Sequence, residues 1–106
     1  MPLRRLSIPL FHRLRVSAVL GCYPNPFNPA TTIRVRLVGG SGATLRIVDV
    51  SGRVVRTLDL SGLGAGEHRI DWDGNGDGGL RLSSGVYLAR LEAADGAHAV
   101  RMVLLR

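Results

Sequence analysis

One cysteine, no lysine and five aromatic rings are all that 106 residues supply of these types. With Cys22 alone, neither an internal disulfide framework nor a multi-cysteine metal centre can form, and the redox compartment stays open. No stretch approaches the ~20 apolar residues that carry a helix across a bilayer, so no transmembrane segment is expected. His12, His68 and His98 lie far apart in sequence, with no partner at metal-ligand spacing, and read as solvated or half-buried strand residues. Phe11, Tyr23, Phe27, Trp72 and Tyr87 are the only rings, so a core has to come from Val, Leu, Ile and Ala on many short segments. The length allows one small domain.

Charge is unevenly placed. All 14 basic side chains are arginine, and Arg4, Arg5, Arg13 and Arg15 fall among the first twenty residues, which hold no acid. The remaining arginines stand at alternate positions among eight Asp and Glu, as on solvated strand faces. No nucleic-acid module accompanies them, and nucleic acid is not expected as a partner. Residues 1–22 read as a flexible, disordered or non-native basic leader. Pro9 interrupts the apolar run Leu6–Phe11, and His12-Arg13-Leu14-Arg15 stands where a secretory signal would carry its small-residue cleavage site. Val19-Leu20-Gly21-Cys22 has a passing likeness to a lipoprotein processing box, but the run before it is too short and too charged, and the leader reading is preferred.

The domain is expected over residues 23–106, and from Thr31 onward its dominant period is two. Ile33, Val35 and Leu37 alternate with Thr32, Arg34 and Arg36. Leu45 and Ile47 alternate with Thr44, Arg46 and Val48. Ser51-Gly52 reads as a two-residue turn into Arg53–Leu58, and His68, Ile70 and Trp72 alternate with Glu67, Arg69 and Asp71, burying Ile70 and the tryptophan. Leu80–Leu82 is a short pairing segment, and Val86–Ala93 and Ala99–Leu105 are long strands joined at Asp95-Gly96. No segment is long and apolar enough for crossover helices. The fold expected is all-β, an antiparallel sandwich of about seven strands of the immunoglobulin type. Ahead of it, Tyr23-Pro24-Asn25-Pro26-Phe27-Asn28-Pro29 is stiffened by three prolines. Asn25 and Asn28 can close turns, and Tyr23 and Phe27 can cap one end of the sandwich.

Candidate chemistry is sparse. Asp73-Gly74-Asn75-Gly76-Asp77-Gly78 repeats the first half of a calcium loop, with Asp73, Asn75 and Asp77 as the candidate ligands. Position 12 falls on Ser84, which cannot give the bidentate carboxylate, and a strand follows where a helix should. Otherwise no metal or cofactor is expected. Ser84, His68 and Asp71 could be imagined as a triad, but no nucleophile turn or oxyanion cradle accompanies them, and the chain is not expected to be an enzyme. Trp72 and Tyr87 read as core anchors, with Tyr87 bonding backbone at a strand corner.

Taken in order, Tyr23–Ile33, Asp49 with Gly52-Arg53-Val54-Val55 and Leu58, Ala65-Gly66-Glu67-His68, Trp72-Asp73-Gly74, Ser84-Gly85-Val86-Tyr87 with Arg90-Leu91, and Arg101-Met102-Val103-Leu104-Leu105-Arg106 resemble the type A C-terminal sorting domain of the type IX secretion system. That Ig-like sandwich is similar to the Ig-like domain of the flagellar hook-capping protein. Residues before Tyr23 depart from the pattern, and Arg101 and Arg106 stand where the family often has lysine. The resemblance implies a non-catalytic module that directs a cargo fused upstream through the periplasm to the cell surface or medium. Its partners would be the type IX translocon and a sorting peptidase. The alternative is an Ig-like structural or adhesive module of the hook-capping type. The motif residues proposed for recognition are Tyr23, Pro24, Asn25, Pro26, Phe27, Asn28, Pro29, Gly52, Arg53, Gly66, Trp72, Gly85, Tyr87, Arg101, Met102 and Arg106. The last strand, at a sheet edge, is expected to offer its backbone to a partner.

Overall fold

Ile33, Val35 and Leu37 point inward and Arg34 outward along β2 (Thr31–Leu37), because successive strand side chains face opposite sides. The computed structural model describes residues 16–39 and 42–106. The same alternation builds β3 (Thr44–Asp49), β4 (Val54–Asp59), β5 (Gly66–Trp72), β6 (Gly85–Ala93) and β7 (Gly96–Leu104), preceded by β1 (Ala18–Tyr23). Strands β1-β2-β5 form one sheet and β4-β3-β6-β7 the other, and every pairing is antiparallel. Ile33 and Val35 from the first sheet meet Leu45, Ile47, Ala89, Leu91, Met102 and Leu104 from the second in one core. The expected sandwich of seven strands is the observed one.

The domain starts earlier than position 23. Residues Ala18–Cys22, assigned to the leader, lie in β1, paired from Ala18↔Arg36 to Tyr23↔Thr32. A bulge between Val19 and Gly21 puts Ala18 and Val19 both inside, so the segment lacks the period-two signature. Cys22 pairs with Ile33 and packs against the core, and burial pushes its thiol pKa up. The lipoprotein-like box therefore lies within a strand, and cleavage before Cys22 would remove Ala18–Gly21 from it. Of the rest of the expected leader, Val16 and Ser17 lead into β1 and residues 1–15 lie outside the described residues.

The β3–β4 turn is one residue longer than expected. Asp49 Oδ1 accepts the N–H groups of Ser51 (2.9 Å) and Arg53 (3.0 Å) and the Ser51 hydroxyl (2.6 Å). The carboxylate thereby gathers Val50, Ser51 and Gly52 into a three-residue loop, with Gly52 at φ 90°, and further along the hairpin a bulge after Ile47 leaves Val55 without a partner in β3. The Ser51 hydroxyl foremost, then the Arg53 N–H, holds the Asp49 carboxyl below its ordinary pKa. Bonds from Ser61 and from the Ser17 N–H do the same for Asp59 and Asp95. A carboxyl depressed in the folded state contributes stability above its unfolded value, about 3.9, that is lost as pH falls through the folded value. The melting temperature is therefore expected to drop below about pH 4, and Asp49→Ala should drop less steeply over the same range. Parallel acid limbs in thermal melts of the two proteins would contradict this.

Candidate recognition site

Trp72 closes β5 at one pole of the sandwich. Its ring lies between Phe27, at 5.4 Å and tilted by 53°, and Tyr87, at 6.3 Å and edge-on at 74°, the geometry aromatic pairs prefer. The indole N–H donates to the Asn75 carbonyl at 2.8 Å. Tyr87 donates its hydroxyl to the Ser83 carbonyl at 2.7 Å, which is the strand-corner bond expected of it. Phe27 is buried, as a cap should be, but Tyr23 is 81% exposed and caps nothing.

The proline segment lies along the outer edge of β7. Asn25 Nδ2 donates to the Arg101 carbonyl and Asn25 Oδ1 accepts the Val103 N–H, both at 3.0 Å. Two residues on, the Phe27 N–H donates to the Val103 carbonyl at 2.9 Å and the Phe27 carbonyl accepts the Leu105 N–H at 2.8 Å. An asparagine amide thus stands in for a strand backbone that proline cannot supply. The X–Pro bonds at Pro24, Pro26 and Pro29 are cis. The Pro24 carbonyl accepts the hydroxyl of buried Thr31 at 2.7 Å, a contact with no sequence signal. Asn28 is exposed, and its side chain makes no hydrogen bond among the described residues, so of the two asparagines only Asn25 closes a contact. β7 is an edge strand, as expected, but from Arg101 to Leu105 its edge is already occupied.

The glycine-rich loop covers the opposite edge of the same sheet. Asp77 Oδ1 accepts the Thr57 N–H of β4 at 3.2 Å, and Asp73 Oδ1 accepts the Asn75 N–H at 3.0 Å. The Arg56 guanidinium reaches Asp73 at 3.9 Å and Asp77 at 3.8 Å, while Asn75 Oδ1 accepts from Arg106 Nη2 at 3.1 Å. The positive charge beside all three candidate calcium ligands is therefore supplied by arginine. Among the described residues no group of three or more His, Cys, Asp or Glu side chains is placed to hold a metal ion. Arg106, expected to be exposed, is exposed, and it also donates to the carbonyls of Leu82 and Gly74, while its N–H donates to Ser84 Oγ. The planar fork of guanidinium suits this multiple contact in a way an ammonium would not. Leu80–Leu82 contributes only a bridge, Asn75↔Arg81.

Most of the motif residues meet at this pole. Gly85 opens β6 opposite Leu104, and Asp49, before Gly52 and Arg53, pairs with Tyr87. Met102 is buried in the core. Gly66 is the exception, since it pairs with Leu37 at the far end. Exposed at the pole are Tyr23, Arg53, Arg101, Leu105, Arg106 and every residue of the proline segment except Phe27, which together form its rim.

The FlgD Ig-like domain family matches residues 27–97, more than half of the chain. The chain belongs to that family. Membership agrees with the Ig-like sandwich and with the hook-capping half of the resemblance. No curated protein sequence matches. Among solved structures, dimeric latent PorU from Porphyromonas gingivalis shares 25% identity at a TM-score of 0.60, over 80% of this chain and 9% of that one. PorZ, described as an essential bacterial surface component of the type-IX secretion system of the same organism, shares 24% identity at a TM-score of 0.58, over 81% and 11%. This Ig-like domain spans about a tenth of each of those chains.

Proposed function

We propose that the domain is a non-catalytic sorting module that carries an upstream cargo through the type IX secretion system to the cell surface or the medium. The observation that carries this reading is the convergence of the ordered motifs, from the proline segment to the last strand, on one pole with an exposed rim. The fold shared with domains of PorU and PorZ supports it. The domain itself does no chemistry. The translocon and a sorting peptidase would read Arg101, Leu105 and the proline turns, while Asn25, Phe27 and Arg106 hold those features in place. Calcium is at most accessory, because the loop's oxygens already face guanidinium groups.

Membership of the FlgD Ig-like family favours a second reading, a structural module of the hook-capping type. A reporter fused to residues 16–106 in a host with type IX secretion separates the two. Export is expected for the intact fusion. Arg101→Glu combined with Leu105→Ser should abolish export without lowering the melting temperature, since both side chains lie outside the core. Retention of the intact, folded fusion in the periplasm would sink the sorting reading in favour of the structural one.

A further inference from the structure

Among the described residues, three of the four sheet edges are covered. β7 carries the proline segment, and β4 is capped by Asp77. β1 is tied across to β7, where the Val19 N–H donates to His98 Nδ1 at 3.1 Å and the Ser17 N–H to Asp95 Oδ2 at 2.9 Å. The fourth edge, β5, is different. β2 is the one strand that packs beside it, and no described group outside β2 bonds to its main chain. It runs seven residues without proline and without a bulge. An open, regular edge of this length is a template for strand addition.

Its outward side chains say which strand it fits. Arg69 lies directly opposite Arg34 on β2, a like-charge pair that destabilises a ladder unless compensated. Glu67 compensates Arg34 at 3.1 Å, and Asp71 is occupied by the Thr32 hydroxyl at 2.9 Å. No carboxylate among the described residues pairs with Arg69. We propose that β5 pairs antiparallel with β5 of a second copy of this chain about a two-fold axis at His68. That register sets Arg69 opposite the partner's Glu67, and Glu67 opposite the partner's Arg69. A register centred on Arg69 would oppose Arg69 to itself and Glu67 to Asp71, and one centred on Ile70 would gain Arg69 opposite the partner's Asp71 only by setting Glu67 opposite its Asp73, whereas the His68 register opposes no like charges. Charge thus selects the His68 register, and an isologous contact of this kind closes on itself as a dimer. The two three-stranded sheets join into one of six strands.

The sorting reading is tested at Arg101 and Leu105 and this one at Arg69 and Glu67, so either can fail alone. Sedimentation velocity of the full chain from 1 µM upward, to about 500 µM, should show a monomer–dimer equilibrium. Arg69→Glu, which relieves the like-charge pair with Arg34, and Glu67→Arg, which gives up the bond to Arg34, should each weaken association at least about tenfold when compared where both are folded. The double variant should restore it, because the charges are exchanged and not removed. Amide exchange should slow on β5 at high concentration and nowhere else on a sheet edge. A monomer throughout the range, single variants that associate as the parent does, or a double variant no better than the singles would each overturn the proposal.

Discussion

Phe27→Ala is expected to lower stability by about 3–5 kcal/mol. The ring is 1% exposed and packs on Trp72, so truncation leaves a cavity at the pole beside the largest buried side chain. It also loosens the seat of the proline segment, whose backbone reaches β7 through this residue. Trp72 is the sole tryptophan, so its fluorescence in urea reports both effects: an earlier midpoint, and a red-shifted native emission as water reaches the indole. Hydrogen exchange at Val103 and Leu105 should quicken in the same variant. A loss below about 1 kcal/mol with unchanged exchange at those amides would show that the segment is held without the ring.

Gly74→Ala is expected to cost about 3 kcal/mol, combining a positive backbone angle with a steric clash. Gly74 has φ 80°, and a Cβ there would stand 2.3 Å from the Pro29 carbonyl oxygen. Neither the loop nor the proline turn can yield without disturbing the other. Gly78 is the internal control: its φ is 71° but a Cβ would meet nothing within 4 Å, so Gly78→Ala should cost only about 1–2 kcal/mol. Chemical denaturation of the pair isolates the clash. Equal losses would mean that the two segments are not in contact in solution.

Much of the sheet structure was legible because alternation is a local property. Ile33–Leu37, Leu45–Ile47 and Val86–Leu91 declare their buried faces residue by residue. β1 was not legible, since its bulge makes Ala18 and Val19 adjacent buried residues and hides the period. The turn at Asp49 was misjudged by one residue because a side chain, not a glycine alone, sets its length. At the pole the sequence displays the components but not their use. Asn25 reaches the Arg101 carbonyl 76 residues away, and Arg106 reaches Asn75 across 31, and no local pattern encodes either pairing. Of the two rings expected to cap, Phe27 is buried and Tyr23 is exposed, and of the two exposed terminal arginines only Arg106 is clamped to the glycine loop. The open edge of β5 follows from strand order, which period-two counting cannot supply.

The closure of the Trp72 pole by residues 101–106 has a consequence for synthesis. Until Met102, Leu104 and Arg106 clear the ribosome tunnel, Phe27 has no strand to lie on and the glycine loop has no clamp, so the sandwich stays ajar while everything upstream has already emerged. Loss of the contacts of residues 101–106 would therefore undo the whole pole, not a fraction of it, because Phe27, the glycine loop and the last strand close on one another. A machine that grips the finished pole thereby senses whether the two distant ends of the domain have met.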